Sequence, residues 1–145
     1  MHLSPRDEYI RHCEISDVID SQSDYAQGII CGDFNELSNA DPYDLKSFNP
    51  KLRAQFTYRN RVRSDVLAKV DSAKYVDAAL WCIQNEPTFP TPASEYADTK
   101  LRIDYICVSP ILANCIQRVS VIQNETTNAA SDHYPVVATI AKPLE

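Results

Sequence analysis

Three short apolar runs in this chain are each joined to acids, amides or imidazoles: IICGDFN at Ile29 to Asn35, RIDYI at Arg102 to Ile106, and SDHYPV at Ser131 to Val136. Runs of four to six apolar or β-branched residues bounded by turn formers read as buried strands. Asp33 and Asn35 close the first run, Asp104 sits inside the second, and Asp132 and His133 open the third, so these groups must reach a sheet margin or find partners. A carboxylate left inside an apolar layer without a partner is costly. The fold therefore has to deliver several polar groups to one place.

The first run shows how. Gly occurs only at Gly28 and Gly32, and a glycine just before Asp33 lets the backbone turn sharply at a strand end. In extended chain, residues two apart share a side. If the strand continues through Asn35, Asp33 and Asn35 converge while Phe34 turns into the opposite layer. Asp33 can then orient or deprotonate a water, and Asn35 can donate to a phosphoryl oxygen. A loop acid with an Asn cap is the alternative for this D-x-N by itself. In the second run, Asp104 has two candidate partners: Arg102, two residues away on the same face, or His133, whose tautomer a carboxylate would fix. In the third, Asp132 and His133 point to opposite sides of an extended chain. Asp132 is expected to face a metal and His133 the scissile phosphate.

These groups suit one chemistry. A phosphodiester repels nucleophiles by its charge, and a divalent cation neutralises that charge and polarises the phosphoryl oxygen. Mg²⁺ takes carboxylate and carbonyl oxygens and keeps several waters.

Composition narrows the class. With 145 residues, 44% apolar and 23% charged, the chain is a globular protein able to bury a core. No apolar run nears the ~20 residues of a membrane span, and no export signal is visible, so the expectation is cytoplasmic. Five cysteines with no CxxC pair read as free thiols in a reducing compartment, Cys31 and Cys107 acting as small hydrophobes within strands. The net charge of −6 opposes broad nucleic-acid binding. Lys51 to Arg63 is the exception, with five positive charges and no acid. It is either a phosphate contact or a solvated basic face.

Ser4-Pro5-Arg6-Asp7 reads as a helix start capped by Ser4, with Ile10, Cys13, Ile15, Val18 and Ile19 along its apolar face up to about Asp20. A short helix is expected over Asp41 to Phe48 and a longer one over Ser64 to Tyr75. Pro87, Pro90 and Pro92 make Glu86 to Ala93 an ordered loop. Strands follow over Arg102 to Val108, Cys115 to Ile122 and Tyr134 to Ile140. The fold class is α/β, or α+β with layered sheets.

GDFN, RIDYI and SDHYPV in this order resemble the C-terminal half of the endonuclease/exonuclease/phosphatase superfamily, the DNase I-like fold. Val76-Asp77-Ala78 and Pro87 to Pro92 resemble the segments between them, and His2-Leu3 resembles the block around a further active-site histidine. A frayed terminal histidine is the other reading of His2. The resemblance implies a four-layer α/β/β/α sandwich and a Mg²⁺- or Mn²⁺-dependent phosphoesterase acting on nucleic acid, nucleotides, or phosphorylated lipids or sugars. It implies catalytic roles for His2, Asp33, Asn35, Asp104 and His133, metal contacts from Asp132 and Asp33, and a substrate contact from Asn35. Thr88 and Phe89 are candidate substrate contacts on a loop that either walls the pocket or packs Phe89 into the core. The resemblance also sets an expectation of incompleteness. A full domain runs to about 250 residues, and the family's metal-ligating Asn and Glu lie upstream of the His2 block. Residues 1–145 are then one partial domain lacking roughly a sheet and a helical layer. An apolar sheet face would be left open to association, and a non-catalytic scaffold is the competing function.

Overall fold

The computed structural model describes residues 1–143. Residues 1–3 run alongside the first strand before the chain enters helix α1 (Glu8–Gln22). Asp7 caps α1 by accepting from the Ile10 amide, and the Ser4 hydroxyl accepts from the Asp7 amide instead. The expected cap thus sits one turn outside the helix, because Pro5 and Arg6 form a turn before it. The inward face of α1 carries Arg11, Ile15, Val18 and Ile19, at helical spacing. Ile10 and Cys13 face solvent, contrary to the expected apolar face.

Strand β1 (Ile29–Asp33) is followed by turns, not a helix, over Asp41 to Phe48. The Asp41 carboxylate is drawn inward to Arg102 there, which a solvated short helix would not allow. Helix α2 (Pro50–Phe56), with Pro50 in its first turn and Asn49 as cap, leads into a tight hairpin of β2 (Thr57–Tyr58) and β3 (Arg61–Val62). Arg59 and Asn60 turn the hairpin with positive φ, the geometry of a two-residue type I′ turn. Helix α3 (Asp65–Ser72) follows, then β4 (Val76–Asp77) and α4 (Ala78–Trp81). Glu86 to Ala93 is a loop as expected, with a cis Phe89–Pro90 bond. The last third holds β5 (Asp104–Val108), α5 (Pro110–Ala113), β6 (Ile116–Val121), α6 (Glu125–Ala130) and β7 (Val136–Ile140).

The strands form layers. β1, β5 and β4 make one antiparallel sheet in the order β1-β5-β4, and β6 pairs with β7. On one face of the main sheet, Ile30, Tyr105 and Cys107 pack with Leu3 and Phe34 against Ile15 of α1 and Val66 and Val70 of α3. On the other face, Ile106 and Val108 of β5 pack against Ile116, Val136, Ala138 and Ile140 of the β6–β7 hairpin. The result is a mixed α/β architecture consistent with part of a DNase I-like sandwich.

The second face is unevenly covered. Residues paired directly across the ladder share a face, so Ile29, Cys31 and Asp33 lie beside Val108, Ile106 and Asp104. Val108 is fully buried, whereas Ile29 is 48% exposed and Cys31 is exposed. Cys107 is the buried small hydrophobe that was expected. Cys31 is not, because β6–β7 reaches across β5 and leaves β1 open.

Candidate active site

The acid-bearing ends of β1 and β5 meet because the two strands pair in register. Asp33 lies directly opposite Asp104. Asp33 is the last residue of β1, and the chain then leaves the strand. Asn35 takes a positive φ of 48°, a conformation Asn tolerates better than most residues. Asp33 and Asn35 do converge, but through a turn and not through a continued strand. The Asn35 amide donates to Asp33 Oδ1 at 2.7 Å, and its Nδ2 donates to Asp33 Oδ2 at 3.1 Å and to the Leu3 carbonyl at 2.9 Å. Both side-chain hydrogens of this buried amide are thereby committed. In this geometry Asn35 fixes Asp33. Phe34 turns into the opposite layer, fully buried against Tyr105.

Gly32 serves a different need from the expected sharp turn. The first residues lie parallel to β1, with the Asp33 amide donating to the Met1 carbonyl and the Leu3 amide to the Asp33 carbonyl. A Cβ on Gly32 would fall 1.9 Å from the Met1 carbonyl oxygen, and Gly32 has a φ of +138°. Only glycine admits this close approach. The approach brings His2 to the site: its Nε2 lies 3.5 Å from Asp33 Oδ2, although its side chain is largely exposed.

His133 follows α6 and precedes β7. Its Nδ1 sits 2.9 Å from Asp104 Oδ2. Of the two partners open to Asp104, the structure selects the imidazole. Arg102 is instead held by Asp41, at 2.9 Å and 3.2 Å, and by Asp77 at 2.7 Å, with its guanidinium over the Tyr105 ring. An ionised Asp104 accepts from Nδ1–H and leaves Nε2 outward.

Electrostatics at the site follow from this packing. Burial raises the pKa of Asp33, and the negative charge of Asp104 adds to the shift. The Asn35 amide and the two histidines oppose it. Burial by itself would depress His133, but the hydrogen bond and charge of Asp104 outweigh it, Asp33 and Asp132 add to them, and the net shift is upward. A proton-accepting carboxylate and a proton-holding imidazole thus stand side by side, a pairing that acid–base sites use.

Asp33, Asp104 and His133 offer ligand atoms all within 4.8 Å of one another, a candidate metal-binding cluster among the described residues. Two carboxylates and an imidazole suit a divalent cation that accepts oxygen and nitrogen. Asp132 is not part of that cluster. It is exposed, and its carboxylate accepts from the Ser131 hydroxyl at 3.4 Å while its carbonyl accepts from Thr91. Thr88 and Phe89 lie behind His133 and not in an open pocket. Thr88 is buried, and the Phe89 ring packs on His133 with centroids 4.9 Å apart and on Tyr96. Glu36 went unnoticed in the sequence. It is fully buried, and its carboxylate accepts from the Leu67 amide at the start of α3. Its position directly after GDFN gave no sign of this.

Residues 3–133 match the Endonuclease/Exonuclease/phosphatase family. The chain belongs to that family. No curated protein sequence matches it significantly. Solved structures share the fold. The chain is similar to a 3′ phosphatase, NExo, from Neisseria bound to product DNA hairpin, at 20% identity and a TM-score of 0.66, covering 93% of this chain and 53% of that one. It is similar to the 3′-5′ exonuclease NExo from Neisseria meningitidis at 21% identity and a TM-score of 0.65, covering 92% and 52%. An AP endonuclease from Archaeoglobus fulgidus aligns at 19% identity and a TM-score of 0.61, covering 92% and 54%. At these identities the likeness establishes the fold. The chain spans about half the length of each solved relative. The Asp33/Asp104/His133 cluster lies at the β1–β5 end of this partial family fold. Among the described residues, no helix is long and apolar enough to cross a membrane.

Proposed function

We propose that this chain hydrolyses a phosphoester with Mg²⁺ or Mn²⁺, as the catalytic part of a phosphodiesterase, nuclease or phosphatase. The observation that carries the reading is the convergence of Asp33, Asp104 and His133 within 4.8 Å, with Asp33 and His133 both shifted upward. A bound divalent cation would neutralise phosphate charge and polarise the phosphoryl oxygen, and the two carboxylates are the groups suited to hold it. Asp33 accepts the proton of an attacking water. Asn35 keeps that carboxylate in one orientation. His133, bonded through Nδ1 to Asp104, presents Nε2 to the site, and in its protonated form it offers Nε2–H to the charge that develops on a phosphoryl oxygen or to the leaving oxygen. His2, 3.5 Å from Asp33, adds positive charge at the same place when protonated. Asp132 adds negative charge near His133 and remains a candidate for an outer metal contact.

Nucleic acid is the first substrate to test. The relatives are named a 3′ phosphatase, a 3′-5′ exonuclease and an AP endonuclease, and one holds a DNA hairpin. The β2–β3 hairpin supports the same choice. Its Tyr58 is 60% exposed, Arg59 stacks over that ring at 5.2 Å, and Arg61 beside them is exposed, a pairing suited to a base and its phosphate.

The second reading is a non-catalytic module that associates through the open face of β1. The exposure of Ile29 and Cys31 favours it. Hydrolysis of a chromogenic phosphodiester and a phosphomonoester, with Mn²⁺ and Mg²⁺, separates the two. Activity that falls by about 10²-fold or more in Asp33→Ala and in His133→Ala supports catalysis. Equal rates in wild type and both variants overturn it. The diester-to-monoester ratio sets the substrate class.

A further inference from the structure

Ser131 to Pro135 lies between α6 and β7 and belongs to neither. A catalytic imidazole on such a stretch needs to be held to within about 0.5 Å of its working position. The bonds that hold it come from one short loop. The Thr91 hydroxyl donates to the Ser131 carbonyl at 2.5 Å, and the Thr91 amide donates to the Asp132 carbonyl at 2.9 Å. The Tyr134 amide donates to the Thr88 carbonyl at 2.8 Å. The residues on both sides of His133 are therefore tied to the loop, and the Phe89 ring between the two threonines packs on the imidazole.

The same loop also holds Asp104. The Thr88 hydroxyl oxygen accepts from the amides of Ile103 and Asp104, each at 3.2 Å. Thr88 is 1% exposed and Thr91 0%, so water does not compete for these bonds. Both members of the Asp104–His133 pair are thus referenced to one four-residue segment.

We propose that Thr88 and Thr91 are positioning residues that strap His133 to Asp104 and set the direction of the imidazole. The inference rests on His133 being the site's imidazole, and it reassigns Thr88 and Phe89 from touching substrate to supporting the group that does. A purely structural threonine would stabilise the loop without governing the ring. Valine separates the two roles, since it keeps the shape of threonine and loses the hydroxyl. Serine keeps the hydroxyl and loses a methyl.

The experiment uses chains labelled with ¹⁵N in their three histidines, compared as wild type, Thr91→Val, Thr91→Ser and Thr88→Val. The ring nitrogen signals of His133 report its tautomer and its bond to Asp104 without turnover, so they read the strap even in a chain that hydrolyses nothing. In folded Thr91→Val, the His133 signals should move toward an averaged tautomer while those of His12, on α1, stay in place. Thr91→Ser should restore the wild-type pattern. Where the chain is active, kcat should fall about tenfold or more in Thr91→Val with KM within about twofold, and recover in Thr91→Ser. Unchanged His133 signals in folded Thr91→Val overturn the proposal. Unfolding of Thr88→Val leaves the decision to Thr91→Val. Unfolding of Thr91→Val as well would mean the hydroxyls hold the fold and not the imidazole, and would also overturn it. Intact His133 signals together with absent hydrolysis would count against the phosphoesterase reading alone.

Discussion

β1 and β5 are partners in one ladder, residue for residue, yet they live in different surroundings. β5 is sandwiched: Tyr105 and Cys107 face the helices, and Ile106 and Val108 face the β6–β7 hairpin. β1 has the helical layer on one side only. On the other side Ile29 and Cys31 meet solvent, and its outer edge is lined by the three residues from Met1. The two strands nevertheless end on carboxylates that face each other. The site draws one acid from the well-covered strand and one from the open strand. Rigidity on the first side comes from burial and a buried ion network. On the second it comes from backbone fit, through Gly32 and Asn35. Each kind of support predicts a different response to mutation.

The largest effect is expected where β5 is anchored. Arg102 is 3% exposed, and its guanidinium is shared between Asp41 and Asp77. Tyr43 and Asn85 complete the shell around Asp41. Arg102→Met would leave two carboxylates facing a protein interior. A loss of about 3–5 kcal/mol is expected in urea unfolding, and a loss under 1 kcal/mol would show that β5 does not depend on this network. On the β1 side, Gly32→Ala forces a Cβ against the Met1 carbonyl and strains a positive φ. About 2–3 kcal/mol should be lost, and residues 1–3 should come away from the strand. The check is the His2 ring resonance, which should lose its dependence on Asp33.

Glu36, buried with its carboxylate at the start of α3, makes stability depend on pH. Burial raises its pKa from 4.5 to about 6, against the Leu67 and Val66 amides and Arg11, which favour the charge, and with Asp65 adding to the rise. Its Oε1 and the Nε of buried Arg11 have no hydrogen-bond partner among the described residues. A folded pKa above the unfolded one means the native state holds more protons between those values. Stability from this group is therefore highest below pH 4.5 and declines as pH rises through 6, by about 2 kcal/mol. Unfolding free energies at pH 4 and pH 7.5 should differ by that much more in wild type than in Glu36→Gln. An identical difference in the two proteins would show that Glu36 titrates normally. The smallest effect on stability belongs to the open face. Ile29→Thr with Cys31→Ser should change unfolding by less than about 0.5 kcal/mol, as surface substitutions do. If the face mediates association, sedimentation should show less oligomer than in wild type. A loss comparable to that of Arg102→Met would mean that β1 is covered after all.

The site was legible because strand termini are legible. An apolar run ending in acid must place that acid at a margin, so Asp33 could be brought to a sheet end from its neighbours alone, whereas Asp104, expected inside a strand from Arg102, instead opens β5. SDH before an apolar run likewise brought His133 to a sheet end. The details that went wrong depend on contacts distant in sequence. Ser4 has the chemistry of a cap, but the chain turns before the helix begins. Asp41 has the look of a helix start, but Arg102 pulls it inward. For Thr88 and Phe89 the sequence left two readings open, pocket wall or core, because a proline-rich loop beside an active site could face either way. Their packing on His133 and β5 turned them inward.

Local chemistry determined the strands, the acids at their ends, the α/β class and the presence of a phosphoester-type group set, since each follows from side chains within a few residues of one another. Tertiary structure decided the rest. It chose His133 over Arg102 as the partner of Asp104, because Asp41 and Asp77 already claim the guanidinium. It made Gly32 obligatory through Met1, thirty-one residues away. It gave the start of α3 a carboxylate from Glu36, where the adjacent Ser64 makes no capping bond. In each case the deciding partner lies too far along the chain for sequence spacing to reveal, and only the folded arrangement, in which buried polar groups must find partners, brings it within hydrogen-bonding or contact range.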